Sequence, residues 1–183
     1  MRRFLNLPTS LAACLFVAAL PATAKTYQAI KGESSLAYHL HHPMHEIESA
    51  SRDFDCTVDL NSDTTHSKIH VKASVISFSS GNSSRDSHMM EVMDAFKYPF
   101  VEFSSDSVRH EEKGYRVFGK LTFHGVKHPL DFVVTPAYLN DKVRITGDFT
   151  VKLSDYKIER PSLMFVSTDD DLKVHLDVVA LGP

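Results

Sequence analysis

Along most of this chain, large apolar residues alternate with polar residues. In the segment 143–153, the odd positions carry residues such as Val143 and Ile145, and the even positions carry residues such as Arg144. Because successive side chains of a strand point to opposite faces, such a segment has one apolar face and one polar face. A sheet with one apolar face packs on a second sheet or curls around that face, and a curled sheet encloses an interior for an apolar ligand.

Eight alternating segments, separated by turn residues such as Gly81, Gly114 and Asn140, predict eight strands. The predicted strands are 34–42, 51–60, 68–78, 100–108, 115–124, 129–137, 143–153 and 172–181. Their close spacing predicts an all-β fold, either an antiparallel barrel or a sandwich.

One stretch breaks the period of two and predicts a short helix over 84–96. Met89, Met93 and Phe96 recur there at the spacing of one helix face. Ser83 and Asp86 resemble a capping box, and a proline at position 99 prevents continuation. The apolar residues of this helix either belong to the core or close one mouth of a barrel, where flexible methionine suits an adaptable wall.

The first residues predict export. Two arginines follow the initiator methionine, an apolar run covers 11–20, and a small-x-small pattern ends at Ala24. Together they predict a signal peptide over 1–24, cleaved after Ala24, and therefore a periplasmic or secreted protein. The remaining residues, 25–183, have the length of one domain. A lipoprotein cleavage box ending at Cys14 is the less favoured alternative.

Charge and cysteine content argue against a nucleic-acid partner and against a disulfide bond. The formal net charge is −3 and becomes about −5 once the two arginines of the signal peptide are removed. Nucleic acid is therefore not an expected partner, because its phosphates require a positive surface. Cys56 is the single cysteine after the signal peptide and has the apolar parity of its strand. We expect it to be a buried hydrophobic residue with no disulfide partner.

Four histidines form the densest group of chemically active side chains: His39, His41, His42 and His45. His39 and His41 share one face of a strand, a spacing at which two imidazoles can bind zinc or copper. We favour the interpretation that these histidines lie on the protein surface and bind no metal, because they have the polar parity, opposite to Leu36, Tyr38 and Leu40.

The sequence contains no nucleophile elbow, Cys-x-x-Cys pair or glycine-rich phosphate loop. We therefore expect no catalytic residue, no cofactor and no enzymatic activity.

The centre of the chain carries two distinctive motifs: Tyr98-Pro99 after the helix, and the Gly-x-Leu-x-x-His-Gly-Val pattern that begins at Gly119. With these motifs the chain resembles the YceI-like family of periplasmic polyisoprenoid-binding proteins. Lys157 stands where many members have glycine in an Asp-aromatic-Gly turn. The other matching residues are Phe78, Ser79, Ser80, Gly81, Asn82, Arg85, Asp86, His88, Met89, Lys97, Val101, Glu102 and Phe103.

The resemblance implies an antiparallel eight-stranded, lipocalin-like barrel with one or two short helices, which encloses a polyprenyl lipid or a quinone tail. Such proteins are carriers or sequestering proteins. The partner that the resemblance implies is an isoprenoid lipid or quinone. A transient membrane contact for loading and a homodimer are two further interactions that the sequence leaves open. The expected apolar wall comprises Leu36, Tyr38, Leu40, Met89, Met93, Phe96, Phe103, Phe123 and Phe149.

Two other classes of protein remain open from the sequence. A small outer-membrane barrel would also alternate, but with its apolar face outward. A periplasmic metal-binding or redox-accessory protein would use the histidine cluster of residues 39–45.

Overall fold

The computed structural model describes residues 25–182, except 62 and 164; the predicted signal peptide, 1–24, lies outside this part. The described residues form twelve strands, one α-helix and three short 3₁₀-helices. The strands are β1 (Lys25–Ala29), β2 (Ser35–His42), β3 (His45–Ser51), β4 (Phe54–Leu60), β5 (Lys68–Ser74), β6 (Phe100–Glu111), β7 (Gly114–Phe123), β8 (Val126–Leu139), β9 (Lys142–Lys152), β10 (Ser162–Leu163), β11 (Val166–Ser167) and β12 (Asp171–Leu181). The helix α1 covers Ser83–Val92, and the 3₁₀-helices cover Thr64–His66, Val75–Ser77 and Leu153–Tyr156.

Eight antiparallel strands close into a barrel, which confirms the predicted fold. The order is β1-β4-β5-β6-β7-β8-β9-β12, and β1 pairs with β12 to close it. Strand β2 continues along the same edge of β12 and returns as β3, so the β2–β3 hairpin extends the wall at one end. The sequence did not reveal β3, because its inward positions include the small polar residues Ser49 and Ser51.

The interior is apolar and the outer surface is charged. Residues such as Val117 and Val178 are almost completely buried. On the outside, Arg144 forms an ion pair with Asp177 across β9 and β12. This distribution is the reverse of an outer-membrane barrel, whose apolar residues face outward. In the part of the chain that the structure describes, no helix combines the length and apolar character needed to cross a bilayer.

The two ends of the barrel differ. At one end, here called the hairpin end, tight turns at 112–113 and 140–141 join β6 to β7 and β8 to β9. At the other, the α1 end, β5 is connected to β6 through α1, and β9 to β12 through β10 and β11. Strands β8 and β9 pair only near the hairpin end and diverge towards the α1 end. The α1 end is therefore the less regularly hydrogen-bonded part of the barrel.

Helix α1 is shorter than the sequence predicted. Asn82 is the N-cap, and its Oδ1 accepts a hydrogen bond of 3.1 Å from the backbone N–H of Arg85. The predicted capping box at Ser83 and Asp86 is therefore wrong, because the Asp86 carboxylate accepts instead from the preceding loop. Asp94 has φ 44°, a left-handed conformation that ends the helical path soon after Val92.

Candidate functional site

An apolar cavity of about 180 Å³ lies inside the barrel towards the α1 end. Strands from most of the barrel supply its wall, and α1 covers it. Three aromatic rings lie in sequence along the wall: the centroids of Phe103 and Phe132 are 5.3 Å apart, and those of Phe132 and Phe149 are 4.7 Å apart. Such a lining favours an apolar ligand over a polar one.

Eight of the nine wall residues predicted from the sequence line this cavity. They are Leu36, Tyr38, Leu40, Met89, Met93, Phe103, Phe123 and Phe149. The prediction for Phe96 is wrong, because α1 has already ended and the side chain is fully exposed. The sequence-based prediction missed further wall residues, such as Leu121, Phe132, Leu172 and Val174. These residues have the apolar parity of their strands, and that parity would have identified them.

Gly119 makes room for one wall residue. A Cβ atom at this position would lie 2.5 Å from Cζ of Phe103 and 2.5 Å from the carbonyl oxygen of Ser104. The glycine therefore lets the Phe103 ring lie directly against β7. This close approach gives a structural reason for the glycine that opens the Gly-x-Leu-x-x-His-Gly-Val pattern.

The segment after α1 is held against the turn between β7 and β8. The Tyr98 ring lies 4.6 Å from the His124 ring, edge to face, and a Cβ at Gly125 would be 2.4 Å from Cε1 of Tyr98. His124 Nδ1–H donates a hydrogen bond of 3.1 Å to the carbonyl oxygen of Tyr156. These contacts join three connections at the α1 end and position α1 over the cavity.

Few polar side chains line the cavity within the described residues: Tyr38, Arg85 and His88. Burial raises the pKa of Tyr38, so its phenol stays protonated and can donate a hydrogen bond. Arg85 is half-buried and His88 is exposed, and both lie on α1. The polar groups of the wall are thus concentrated at the helix and at β2.

The histidine cluster divides between the two faces of the β2–β3 hairpin. His39 Nε2 and His41 Nδ1 each lie 2.7 Å from a carboxylate oxygen of Glu46 on the outer face. The hydrogen bond from His41 is the main cause of the lowered pKa of Glu46. Across the described part of the chain, no three histidine, cysteine or acidic side chains are arranged to hold a metal ion.

His42 contradicts the prediction that the cluster has the polar parity. Its side chain is 2% exposed, because its even position points it inward with Leu36 and Leu40. Its Nδ1 accepts from the backbone N–H of Met44, at 3.1 Å, and its Nε2–H donates to the carbonyl oxygen of Val166, at 2.9 Å. His42 therefore attaches the β10–β11 hairpin to the β2–β3 turn at the α1 end.

Cys56 is buried, as the sequence predicted. Burial raises the pKa of its thiol to about 12, which keeps the sulfur protonated and unreactive near neutral pH.

A closed antiparallel barrel around an apolar cavity is the architecture of small ligand-carrying barrels such as lipocalins. This chain belongs to the YceI-like family, because the YceI-like domain matches residues 27–180. A UPF0312 protein of Pseudomonas putida is 30% identical over 138 residues, which cover 70% of this chain and 72% of the relative. A second, from Pseudomonas fluorescens, is 30% identical over 117 residues, covering 59% of this chain and 61% of the relative.

Two solved structures share the fold. Burkholderia cenocepacia BcnA has a TM-score of 0.76 at 19% identity, covering 82% of this chain and 98% of BcnA. A polyisoprenoid binding domain from Saccharophagus degradans, implicated in plant cell wall breakdown, has a TM-score of 0.66 at 14% identity. That alignment covers 86% of this chain and 98% of the Saccharophagus domain.

Proposed function

We propose that this protein is a non-enzymatic carrier that encloses a long isoprenoid chain, a polyprenyl lipid or a quinone tail, in the barrel cavity. The observation that carries the proposal is the apolar cavity, lined from strands around the barrel and covered by α1. Membership of the YceI-like family supports it, as does the shared fold with a domain described as polyisoprenoid binding.

The energetics favour a chain-shaped apolar ligand. Each buried methylene group contributes about 0.8 kcal/mol, so a five-carbon isoprene unit contributes roughly 3–4 kcal/mol before opposing costs. Ordering the chain and losing its free motion offset much of this gain. A few enclosed units are therefore enough for stable binding.

The size of the cavity implies that part of its wall moves when a long chain binds. The cavity volume of about 180 Å³ is smaller than the roughly 300–1,000 Å³ of typical ligand pockets. Met89 and Met93 project from α1 and its C-cap into the wall, and methionine side chains change conformation easily. We propose that these side chains, together with α1, shift to admit the remainder of the chain.

Ligand uptake can be followed with an introduced tryptophan, because the chain contains none. Phe149→Trp places the reporter in the cavity wall, and Phe96→Trp places the same substitution on an exposed residue. On titration with farnesol, we expect a saturable change in the emission of Phe149→Trp and none in that of Phe96→Trp. Equal responses would indicate surface binding, and no response from a folded Phe149→Trp protein would contradict the proposal.

We further propose that the α1 end touches a membrane during loading. Phe96 and Phe165 are fully exposed at this end, and Met44 is largely exposed beside the β10–β11 hairpin that carries Phe165. Phe165 has φ 66°, an unusual backbone conformation for a bulky residue, at the tip of that hairpin. Exposed aromatic side chains around a cavity mouth suit insertion into the lipid interface.

Transfer of a lipid from vesicles tests this contact. The double substitution Phe96→Ser and Phe165→Ser should slow the transfer of a polyprenol from phosphatidylcholine vesicles to the protein. Tyr138→Ser is the matched control, because Tyr138 is 67% exposed near the hairpin end. Equal transfer rates for the wild type, the double variant and Tyr138→Ser would contradict a membrane contact at the α1 end.

We also propose that the protein is exported, and its localisation and self-association each need a separate measurement. A carrier of membrane lipids with a cleaved signal peptide should be recovered from the periplasm or the medium, and cell fractionation tests this. Sedimentation of the mature protein with and without bound lipid tests whether a homodimer forms.

A further inference from the structure

The barrel wall has a seam between β8 and β9 at the α1 end. The paired residues of the two strands end at Val134 and Gly147, so residues 126–132 of β8 and 149–152 of β9 are not paired with each other. Each segment is paired on its other side, β8 with β7 and β9 with β12. Along this line, the wall is therefore closed by side chains and not by a backbone ladder.

The polar side chains beside the seam bind away from it. Asp131 of β8 forms an ion pair of 2.8 Å with Arg116 of β7, and Lys152 of β9 forms one of 3.0 Å with Asp171 of β12. Among the described residues, no ion pair joins the two sides of the seam. Pro129 lies in the unpaired part of β8, and proline within sheets is found mainly on strand edges. The charge pattern and the sequence therefore both suit a permanent edge here.

Apolar side chains close the seam from the inside. The ring centroids of Phe132 on β8 and Phe149 on β9 are 4.7 Å apart across it. Both rings line the cavity, and so do Leu130 and Val151, which lie further along the two strands. Separating two side chains by rotation leaves no backbone N–H or C=O without a partner, whereas opening a paired ladder would. The seam is therefore the easiest part of the β8–β9 wall to open.

The 3₁₀-helix that follows β9 is attached more firmly to one side of the seam than to the other. On the β12 side, Leu153 N–H donates to the carbonyl oxygen of Asp170 at 2.9 Å, and the N–H and hydroxyl of Ser154 donate to the Asp170 carboxylate at 2.9 and 2.6 Å. On the β8 side, a single hydrogen bond within the described part of the chain, from His124 to the carbonyl oxygen of Tyr156, reaches this helix. We therefore expect the helix to move with β9 when the seam opens.

We propose that the seam between β8 and β9 is a lateral entrance to the cavity, and that the rings of Phe132 and Phe149 are its gate. The inference rests on the proposed carrier function and adds the route by which an apolar chain enters. When the two rings rotate apart, the chain passes sideways between the strands into the apolar interior. Helix α1 does not have to leave the mouth of the barrel, and the paired part of β8 and β9 stays intact.

A cross-link across the seam tests the entrance. Asp131→Cys with Thr150→Cys places two exposed thiols on opposite sides of the seam, beside the gate rings, and a flexible bis-maleimide joins them. The matched control is Thr135→Cys with Thr146→Cys, because these residues are direct partners in the paired part of the same two strands. Cys56 is buried and its thiol stays protonated, so the reagent does not modify it.

Farnesol uptake is followed by stopped-flow fluorescence of Phe78→Trp, a reporter in the cavity wall outside the seam. The seam cross-link should slow association and dissociation by about tenfold or more and leave Kd unchanged, because a closed entrance raises the barrier without changing the end states. The control cross-link should change neither rate. Unchanged rates after complete cross-linking of the seam, or equal slowing by both cross-links, would overturn the entrance. Failure of the protein without a cross-link to bind farnesol would overturn the carrier function and this inference with it.

Two substitutions in the same row of rings test the gate. Phe149→Leu leaves a smaller side chain at the seam and should raise the association rate of farnesol several-fold. Phe103→Leu makes the same change where β6 and β7 are paired, Phe103 being the direct partner of Leu121, and should leave the association rate unchanged. Both variants lose apolar contact with the ligand, so dissociation should become faster in both. Association rates that change equally in the two variants would overturn the gate.

Discussion

The two ends of the barrel are built from the same strands but differ in how those strands are paired and connected. At the hairpin end, short turns close strand pairs that remain in register, such as β8 and β9 between positions 134 and 147. At the α1 end, β8 and β9 separate, and the connections include a helix, a 3₁₀-helix and a small hairpin. The hairpin end is regularly hydrogen-bonded, whereas the α1 end holds the cavity.

The comparison shows why the α1 end is the part that can adapt. Its covering elements are attached by a small number of specific contacts, such as the Tyr98–His124 ring pair and the hydrogen bond from His42 to Val166. Local opening of a protein is easiest where backbone hydrogen bonds and buried contacts are few. A ligand can therefore enter without disrupting the pairing at the hairpin end.

The largest expected effect comes from a charge placed in the cavity wall. Phe123 is 8% exposed, and Phe123→Asp should prevent stable folding, because it removes an aromatic core residue and buries an unpaired carboxylate. Loss of a buried phenylalanine alone costs about 3–5 kcal/mol, comparable with the total stability of many domains. Phe96→Asp is the matched control at the same end and should change the free energy of unfolding by less than about 0.5 kcal/mol.

Urea denaturation of both proteins checks this expectation. A Phe123→Asp protein as stable as the wild type would show that the inward and outward faces of β7 are assigned incorrectly.

Two glycines with positive φ, one at each end of the barrel, allow the cost of backbone strain to be measured separately from the cost of a steric clash. Gly114 has φ 146°, and a Cβ there would lie 2.2 Å from the carbonyl oxygen of Val134. Gly81 has φ 75°, with nothing within 4 Å of the same atom. We expect Gly81→Ala to cost about 1–2 kcal/mol from backbone strain alone, and Gly114→Ala to cost clearly more. Thermal unfolding measures both, and a smaller loss for Gly114→Ala would contradict the close packing at the hairpin end.

Most of the barrel and its wall could be predicted from the sequence, because period-2 alternation assigns each strand residue to one face. When a sheet with one apolar face closes into a barrel, that face becomes the interior. The positions of Phe103, Phe123 and Phe149 on the interior wall could therefore be predicted from their parity. The errors lie at the α1 end. The helical spacing of Phe96 was misleading because a left-handed residue at Asp94 ends the helix first.

Long-range contacts explain the remaining failures. His42 is a polar residue at an inward-facing position of its strand. Its hydrogen bonds to Met44 and Val166 satisfy the buried imidazole, and these partners could not be read from the local sequence. Arg85 was recognised as part of a family motif, but its position on the cavity wall depends on how α1 packs against the hairpin. Neither arrangement is encoded in a local pattern of residues.

The smallest expected effect concerns a strained residue at the α1 end. Lys157 follows the 3₁₀-helix Leu153–Tyr156 with φ 57°, where family members often have glycine. Lys157→Gly should raise the free energy of unfolding by about 0.5–1 kcal/mol, because the relief of left-handed strain exceeds the entropy cost of glycine. Lys157→Ala keeps the strain and serves as the control. Equal melting temperatures for the two variants would argue against strain at this position.

Lipid extraction from the native protein tests the central claim most directly. The mature protein is purified without detergent from its natural host, extracted with organic solvent, and analysed by mass spectrometry. The account predicts a bound isoprenoid in near-stoichiometric amount, which Phe149→Trp protein takes up again when the lipid is added back. Protein that is repeatedly recovered without lipid, and that fails to take up farnesyl phosphate, farnesol or a quinone in vitro, would contradict the carrier function.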